Sequence, residues 1–403
     1  MLKKILFQTH WLLGITVGIV LAIIGLTGAI LSFQDELVAW LNSDIVQVVP
    51  KSAEPLTPAE LIAQLKTQAP AKRVTTLTLS SHPGEVARVV LVTESEGLSA
   101  RSAVAKRGET NYVDPYDGKL LGQPRGEEFF RTTREIHRRL IAGDVGKQIV
   151  GASTIGLIIL SLAGLYLRWP RLMRGWHAWI NIRWKHTGRG FLRDLHVVTG
   201  IWVLLPYLLL AVTGLYWSYD WYRDALFSVT GTPKPVQQNS AREETTRRGM
   251  PRSNTPDIIQ TPNVATAWTT FQQTVTSYRS VTLRLPERPQ QPVQISYLDA
   301  DSPHDRASNR ISIHSLNGTV LLHERYADKS VGAKFMASIF ALHSGRFFGM
   351  PGVIFMMIAS ALMPLFAVTG WMLYLDRRAK KKMSRNSLND FERGGRSAEV
   401  TNY

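Results

Sequence analysis

The chain has 403 residues, 45% of them hydrophobic and only 19% charged, and it contains no cysteine. The lack of cysteine excludes disulfides, thiolate zinc sites, iron–sulfur clusters, covalently attached c-type haem and a cysteine nucleophile. The formal net charge of +16 is typical of proteins that bind nucleic acid or anionic surfaces, so its distribution along the chain decides what it means.

Four stretches contain no Asp, Glu, Lys or Arg, and each reaches the roughly 20 apolar residues that cross a bilayer core. They cover residues 5–34, 148–167, 195–219 and 347–375. Tryptophans lie near their ends, as is typical of membrane–water interfaces. The first stretch is too long for a cleavable signal peptide, and no small-residue cleavage site follows it. The sequence therefore predicts four transmembrane helices and two large extramembrane segments.

Lysine and arginine concentrate at the N-terminus, in the loop 169–193 and in the tail 376–403. If the helices alternate in direction, all three lie on one side, and the positive-inside rule makes that side cytoplasmic. Both termini are then cytoplasmic, and the large segments face the periplasm of a bacterial inner membrane. Because the positive charge reports orientation, no nucleic-acid partner is expected.

Two tandem repeats are predicted, since aligning His10 with His196, and His137 with His343, also aligns smaller residues. The matched pairs are Gly14/Gly200, Thr27/Thr213, Gly28/Gly214, Gly143/Gly349, Gly146/Gly352 and Gly164/Gly370. Each half then consists of a helix going out, an outer domain and a helix coming back. Two such halves imply a pseudo-twofold axis along the membrane normal.

Each outer segment shows the pattern of a small α+β domain. In the first, a helix at Pro58–Gln68 precedes strands at 73–80 and 86–92 and a hairpin at 111–121. In the second, a helix at 264–278 precedes strands at 279–285 and 293–298 and a hairpin at 310–324. Proline-rich residues 231–262 are predicted to form a linker or arm.

The four histidines at repeat-equivalent positions are the candidate site. The topology places His10 and His196 at the cytoplasmic side and His137 and His343 at the outer side, with one histidine of each pair from each half. Two opposed imidazoles in a helix bundle favour a six-coordinate b-type haem with two axial histidines, one or two per chain. The candidate partners for the haem propionates are Arg134, Arg138, Arg139 and Arg346 outside, and Arg193 and Lys3 inside.

Other interpretations remain open for the histidines. A single interfacial histidine is often a simple anchor, and a zinc or copper site or a proton relay is also possible. The other histidines, including His186, His304 and His323, are expected to be structural. No nucleotide-binding loop is present, so electrons are expected from a partner protein or a membrane quinol.

The motifs around these histidines resemble the PepSY-associated transmembrane proteins, a family that includes bacterial inner-membrane ferrisiderophore reductases of the FoxB and PiuB type. The motifs are His10-Trp-Leu-Leu-Gly-Ile, Glu135-Ile-His137-Arg-Arg-Leu, Leu195-His196-Val-Val-Thr-Gly200 and Leu342-His343-Ser-Gly-Arg346. The resemblance implies two periplasmic PepSY-like domains, haem held by the four histidines, and reduction of ferric siderophores or other ferric chelates with release of Fe(II). It leaves the donor, a cytoplasmic reductase or a quinol, open.

The prediction is thus an α-helical membrane protein with four transmembrane helices and two PepSY-like domains. An alternative is a non-catalytic membrane protein whose PepSY-like domains bind peptidases or sensor partners; a secondary transporter ranks last. The predicted segments are helix 1 at 5–34, domain 1 at 41–136, a histidine segment with helix 2 at 137–168, a basic loop at 169–193, helix 3 at 194–219, the arm with domain 2 at 220–342, a histidine segment with helix 4 at 343–375, and a basic tail at 376–403.

Overall fold

The computed structural model describes residues 1–50, 54–93, 108–172, 177–234, 263–286 and 291–399. Most of the predicted arm at 231–262 lies outside the described residues. The chain divides into two compact units. The helical unit comprises residues 1–33, 130–223 and 342–403, and the sheet unit comprises residues 34–129 and 224–341.

The helices and strands are numbered in chain order. The helices are α1 (Leu2–Ser32), α2 (Gln34–Leu41), α3 (Pro58–Gln68), α4 (Glu127–Arg139), α5 (Gly143–Leu172), α6 (His177–Ile180), α7 (Gly188–Trp202), α8 (Leu204–Ser218), α9 (Asp220–Val229), α10 (Val264–Thr274), α11 (Val331–Ser344), α12 (Gly349–Ala361) and α13 (Met363–Glu399). The strands are β1 (Lys72–Ser80), β2 (Ala87–Thr93), β3 (Glu109–Val113), β4 (Leu120–Gly122), β5 (Ser280–Arg284), β6 (Val293–Leu298), β7 (Asn309–Ile313) and β8 (Val320–Glu324).

Among the described residues of the helical unit, three stretches are long and apolar enough to cross a membrane: Leu2–Ser32, Gly143–Trp169 and Arg346–Met383. The pair α7–α8 makes a fourth if it is counted as one span, bent by 60°. Large apolar side chains on these helices point outward, such as Ile19 (56% exposed) and Leu205 (76% exposed). Such surfaces suit contact with lipid.

The predicted third span is a broken helix rather than a continuous one. It begins at Gly188, inside the predicted basic loop, and it bends at Val203 between α7 and α8. Pro206 lies in the first turn of α8, where its missing N–H costs nothing, whereas in a continuous helix its ring would clash with the carbonyl of residue 202. The proline therefore explains why two helices replace one.

The described residues of the sheet unit form one antiparallel sheet of eight strands in the order β4-β3-β2-β1-β5-β6-β7-β8. The two predicted outer domains share this sheet, because β1 and β5 pair directly, with Thr78 opposite Thr282. If the halves were separate, each of these strands would leave a row of unpaired N–H and C=O groups at an edge. Pairing the two edges satisfies those groups and joins the halves.

The core of the sheet unit lies on one face of the sheet, where α3 and α10 pack. Leu61 and Leu65 of α3 form one buried cluster with strand residues of the first half. Trp268 and Phe271 of α10 form another with strand residues of the second half. Helix α3 has the predicted bounds and is capped by reciprocal hydrogen bonds between Thr57 and Glu60. Helix α10 ends four residues before its predicted end, because Val275 already has an extended backbone.

Candidate functional site

The structure brings the four predicted histidines together in two pairs, all within the helical unit. The ring centres of His10 and His196 are 6.3 Å apart, with 77° between the ring planes. Those of His137 and His343 are 6.4 Å apart, with 68° between the planes. His137 lies in the last turn of α4 and His343 in the last turn of α11, so a short helix presents each of these two rings.

The two pairs lie far apart along the spans. His10 belongs to one pair, and Gly28 on the same helix faces His137 of the other pair. The rise of an α-helix places these two positions of α1 about 27 Å apart, close to the roughly 30 Å thickness of a hydrocarbon core. One pair therefore lies near each end of the spans.

Each ring is anchored through Nδ1 on a neighbouring helix. His137 Nδ1 lies 3.0 Å from the Ile24 carbonyl oxygen and 3.1 Å from Thr27 Oγ1 of α1. His343 Nδ1 lies 2.8 Å from Thr213 Oγ1 of α8. In the other pair, the partners are on α13 and α5. His196 Nδ1 lies 2.8 Å from Thr369 Oγ1, and His10 Nδ1 lies 3.1 Å from the Leu160 carbonyl oxygen.

Counting donors assigns the proton of each ring. A carbonyl oxygen can only accept, so His10 and His137 carry their proton on Nδ1. The hydroxyl of Thr213 donates to the Leu209 carbonyl at 2.5 Å, and that of Thr369 donates to the Leu365 carbonyl at 2.6 Å. A hydroxyl has one proton, so both hydroxyls accept from Nδ1–H of the rings.

This assignment leaves Nε2 with a free lone pair in all four imidazoles. A neutral imidazole with a hydrogen-bonded Nδ1–H is the usual metal-ligating form of histidine. A proton relay has less support, because Nδ1 of every ring is held in one donor role.

Each ring also lies over a glycine of the neighbouring helix. A Cβ atom added at Gly28 would be 3.1 Å from His137 Cε1, and one at Gly214 would be 3.4 Å from His343 Cε1. At Gly164 it would be 3.3 Å from His10 Cε1, and at Gly370 it would be 3.8 Å from His196 Cε1. Ordinary carbon contacts are about 3.5–4.0 Å, so the first three positions have little room for a larger residue.

The spacing of the rings distinguishes two kinds of metal coordination. For metal–nitrogen bonds of about 2.0 Å, two imidazoles on opposite sides of a metal have ring centres about 6.3 Å apart, whereas a tetrahedral angle brings them to about 5 Å. Both observed separations match the first arrangement. A structural zinc site needs four ligands. Among the described residues, no group of three or more His, Asp or Glu side chains could hold a metal ion, so these residues offer no such site.

The arginines predicted as propionate partners lie close to the histidines along the chain. Arg138 follows His137 and is exposed, and Arg346 is half-buried at the start of the turn after α11. Arg193 is exposed, and its Nη2 lies 3.6 Å from Asp194 Oδ1. Arg134 and Lys3 are also exposed, and Arg139 is half-buried. Their role stays a prediction.

One charged residue near the site was not singled out from the sequence. Asp194, two residues before His196 on α7, is only 5% exposed. Its carboxylate accepts from Arg183 Nε at 2.8 Å and Nη2 at 3.1 Å, and lies 2.9 Å from His186 Nδ1. These contacts tie the preceding loop to the helix that presents His196. Asp194 is the single acidic residue beside the basic loop, and this position is the sequence signal by which it could have been found.

Aromatic side chains continue from the rings into the core of the helical unit. Phe366 packs 5.2 Å from the His196 ring and 5.7 Å from the Tyr207 ring. The buried Tyr207 donates a hydrogen bond to the Ala359 carbonyl at 2.9 Å. At the other pair, Trp217 packs 5.4 Å from the His343 ring.

The sheet unit has a separate polar cavity of about 240 Å³ at the seam between β1 and β5. Its lining combines hydroxyls with two guanidinium groups and one carboxylate. The lining residues are Thr78, Leu79, Ser80, His82, Glu85, Val86, Arg88, Arg279 and Ser280. The excess of positive charge makes this cavity suited to an anion.

Comparison with known proteins identifies the family. No curated protein matches the chain. A family model described as the PepSY-associated TM region matches residues 7–377, a range that includes all four histidines and all eight strands. Since the match covers nearly the whole chain, this protein belongs to the PepSY-associated transmembrane family.

Proposed function

We propose that this protein is a b-type haem protein of a bacterial inner membrane that passes electrons outward to a ferric siderophore or similar ferric chelate. The observation that carries the proposal is the pair of imidazoles near each end of the spans, with ring centres 6.3 and 6.4 Å apart. All four rings have Nδ1 engaged, which leaves Nε2 for iron.

In this proposal His10 and His196 hold an inner haem, and His137 and His343 hold an outer one. A bound haem would supply a one-electron Fe(III)/Fe(II) couple at each pair of histidines. The Nδ1 anchors hold the rings in orientation, and the glycines leave room beside them. Arg138, Arg346 and Arg193 are the proposed partners of the propionates.

A series of side-chain contacts between the two histidine pairs supports electron transfer from one to the other. Phe366 contacts His196, Tyr207 contacts Phe366, and the Tyr207 hydroxyl contacts the backbone of Ala359. The next residue, Ser360, lies beside Gly28, under the His137 ring. Buried apolar side chains around these residues exclude water from the middle of the bundle; they are Leu21, Leu157, Val203, Ala211 and Met363.

The reaction proposed is the transfer of one electron to each chelated Fe(III) from a cytoplasmic reductase or a membrane quinol; oxidation of one quinol to the quinone reduces two Fe(III) and releases two protons. Fe(II) then leaves, because hard oxygen ligands hold it less tightly than Fe(III). Many ferric chelates are anions, and the cavity with Arg88 and Arg279 is the place proposed to bind them.

The topology completes the proposal. Four spans in two tandem repeats would place both termini in the cytoplasm and the sheet unit in the periplasm. A Thr-Gly pair beside three of the four rings, at Thr27, Thr213 and Thr369, supports the repeat. The basic loop and tail support the orientation.

The test is an optical spectrum and haem assay of the purified full chain. We expect a Soret band and two haems per chain, with about half of the haem lost in each of the variants His10→Ala, His196→Ala, His137→Ala and His343→Ala. The control His323→Ala removes a histidine of the sheet unit, which contacts Tyr297, and should keep both haems. Absence of a Soret band, or equal haem content in all variants, would refute the proposal. The alternative, a non-catalytic protein that binds peptidases or sensors, predicts no Soret band.

The substrate part has its own test, in which released Fe(II) is trapped by a coloured Fe(II) chelator. We expect Arg88→Gln to raise the KM for an anionic ferric chelate such as ferric citrate without changing the Soret band. Arg284→Gln, at an exposed position of β5 outside the cavity, is the matched control. Equal KM values in the two variants would exclude this cavity as the binding site.

A further inference from the structure

The two histidine pairs differ in the number of acceptors that their Nδ1–H groups meet. The outer pair has three acceptors in all. Thr27 Oγ1 and the Ile24 carbonyl serve His137, and Thr213 Oγ1 serves His343. In the inner pair, each ring has one such acceptor.

The difference arises at one position of a recurring pattern. At three of the four rings, the residue before the facing glycine is a threonine: Thr27, Thr213 and Thr369. At the fourth, His10, the corresponding residue is Ala163, which is buried and followed by Gly164. The Leu160 carbonyl that serves His10 lies three residues before Ala163, as Ile24 lies three before Thr27. His10 thus keeps the carbonyl and lacks the hydroxyl.

We propose that these four positions set the reduction potentials of the two haems apart, with Ala163 as the residue that leaves the inner site with fewer acceptors. This inference rests on the proposed function. An acceptor on Nδ1–H draws the proton away from the ring and makes Nε2 a more electron-rich ligand. Such a ligand stabilises Fe(III) over Fe(II), so each added acceptor lowers the potential of its haem. Thr27, Thr213 and Thr369 are positioning residues, because they act through the histidines.

The test is a redox titration of the full chain, followed in the visible spectrum and fitted with two one-electron components. Ala163→Thr should lower the potential of one component, and Thr369→Val should raise that same component. Thr27→Val and Thr213→Val should both raise the other component. For each hydroxyl we expect roughly a fivefold change in the Fe(III):Fe(II) ratio at fixed potential, the order of one hydrogen bond.

The matched control is Thr16→Val. Thr16 is on α1, and its hydroxyl bonds to the Leu12 and Leu13 carbonyls at 3.0 and 3.3 Å. It should move neither component. Each variant should shift the reduction potential of one component only. General loosening of the fold would instead shift both components in every variant.

The outcomes also separate this inference from the proposed function. A chain without haem refutes the proposed function itself. A chain with two haems whose potentials stay unchanged in Ala163→Thr and Thr369→Val refutes only this inference. A rise of potential in Ala163→Thr would likewise overturn it, because the added hydroxyl would then be acting as a donor.

Discussion

Adding one methyl group at Gly28 should displace the His137 ring, whereas the same change at Gly370 should not disturb His196. The added Cβ would be 3.1 Å from His137 Cε1 in the first case and 3.8 Å from His196 Cε1 in the second. Carbon atoms in ordinary contact are about 3.5–4.0 Å apart. The ring at Gly28 must therefore move by about half an ångström.

A displacement of that size exceeds the tolerance of a metal–ligand bond, which is about ±0.2 Å. Changes beside a ligand that disturb its orientation typically cost about 10–100-fold in metal affinity. We therefore expect Gly28→Ala to weaken haem retention at the outer site by at least about tenfold, and Gly370→Ala to leave the inner site unchanged. Both variants introduce alanine, which is favoured over glycine in helices by about 1 kcal/mol, so loss of helix stability does not explain a difference.

The assay is haem content per chain after purification and after challenge with a haem-binding competitor such as apomyoglobin. Gly28→Ala should lose one haem of two, and Gly370→Ala should retain both. Equal retention in the two variants, or greater loss in Gly370→Ala, would show that the facing glycines do not hold the rings in place.

Three further predictions concern the rest of the molecule. Burial lowers the pKa of His304, and the nearby charge of Asp305 opposes this shift in part. A histidine in the unfolded chain has a pKa of about 6.5, so the unfolded chain binds the proton at a higher pH than the folded one. The sheet unit should therefore lose stability as the pH falls below that value. Hydrogen exchange of β7 at pH 7.5 and 5.5 should show this loss, and His304→Asn should reduce it. Because the chain has no cysteine, Lys66→Cys should react with a membrane-impermeant maleimide on intact spheroplasts and Arg378→Cys should react only after lysis; the reverse result would invert the topology. Gly146→Ala places a Cβ against the carbonyl of the last residue of α4. This variant should lower the unfolding temperature, with a loss of about 1–3 kcal/mol in the free energy of unfolding. The control Gly14→Ala, whose Cβ meets nothing within 4 Å, should not.

The membrane character and most local elements followed from pattern alone. Charge-free stretches mark the apolar helices, because one charged side chain in the bilayer core is costly. Strand β6 alternates buried Val293, Ile295 and Tyr297 with half-buried polar or apolar residues, and this period of two is visible in the sequence. Helix α3 was equally clear, because its cap, proline and acidic first turn are local signals.

The joining of the two outer segments into one sheet was not predictable from local pattern. The β1–β5 pairing joins residues about 200 positions apart, such as Thr78 and Thr282. Each strand read alone looks the same at an edge and in the middle of a sheet. The choice between two sheets and one depends on whether unpaired edge groups find a partner, which is a property of the assembled chain.

The candidate site divides in the same way. The sequence alone named the four histidines and their pairing, because the repeat aligns them and the alternating spans sort them by membrane side. The tertiary structure decided how each ring is held: Gly164 and Gly370 lie under rings on other helices, and Thr369 but not Ala163 offers a hydroxyl to Nδ1. These contacts cross between helices, so no spacing within one helix encodes them. The sequence determined which side chains could meet, and packing between helices determined their distance, their protonated nitrogen and the acceptors that hold them.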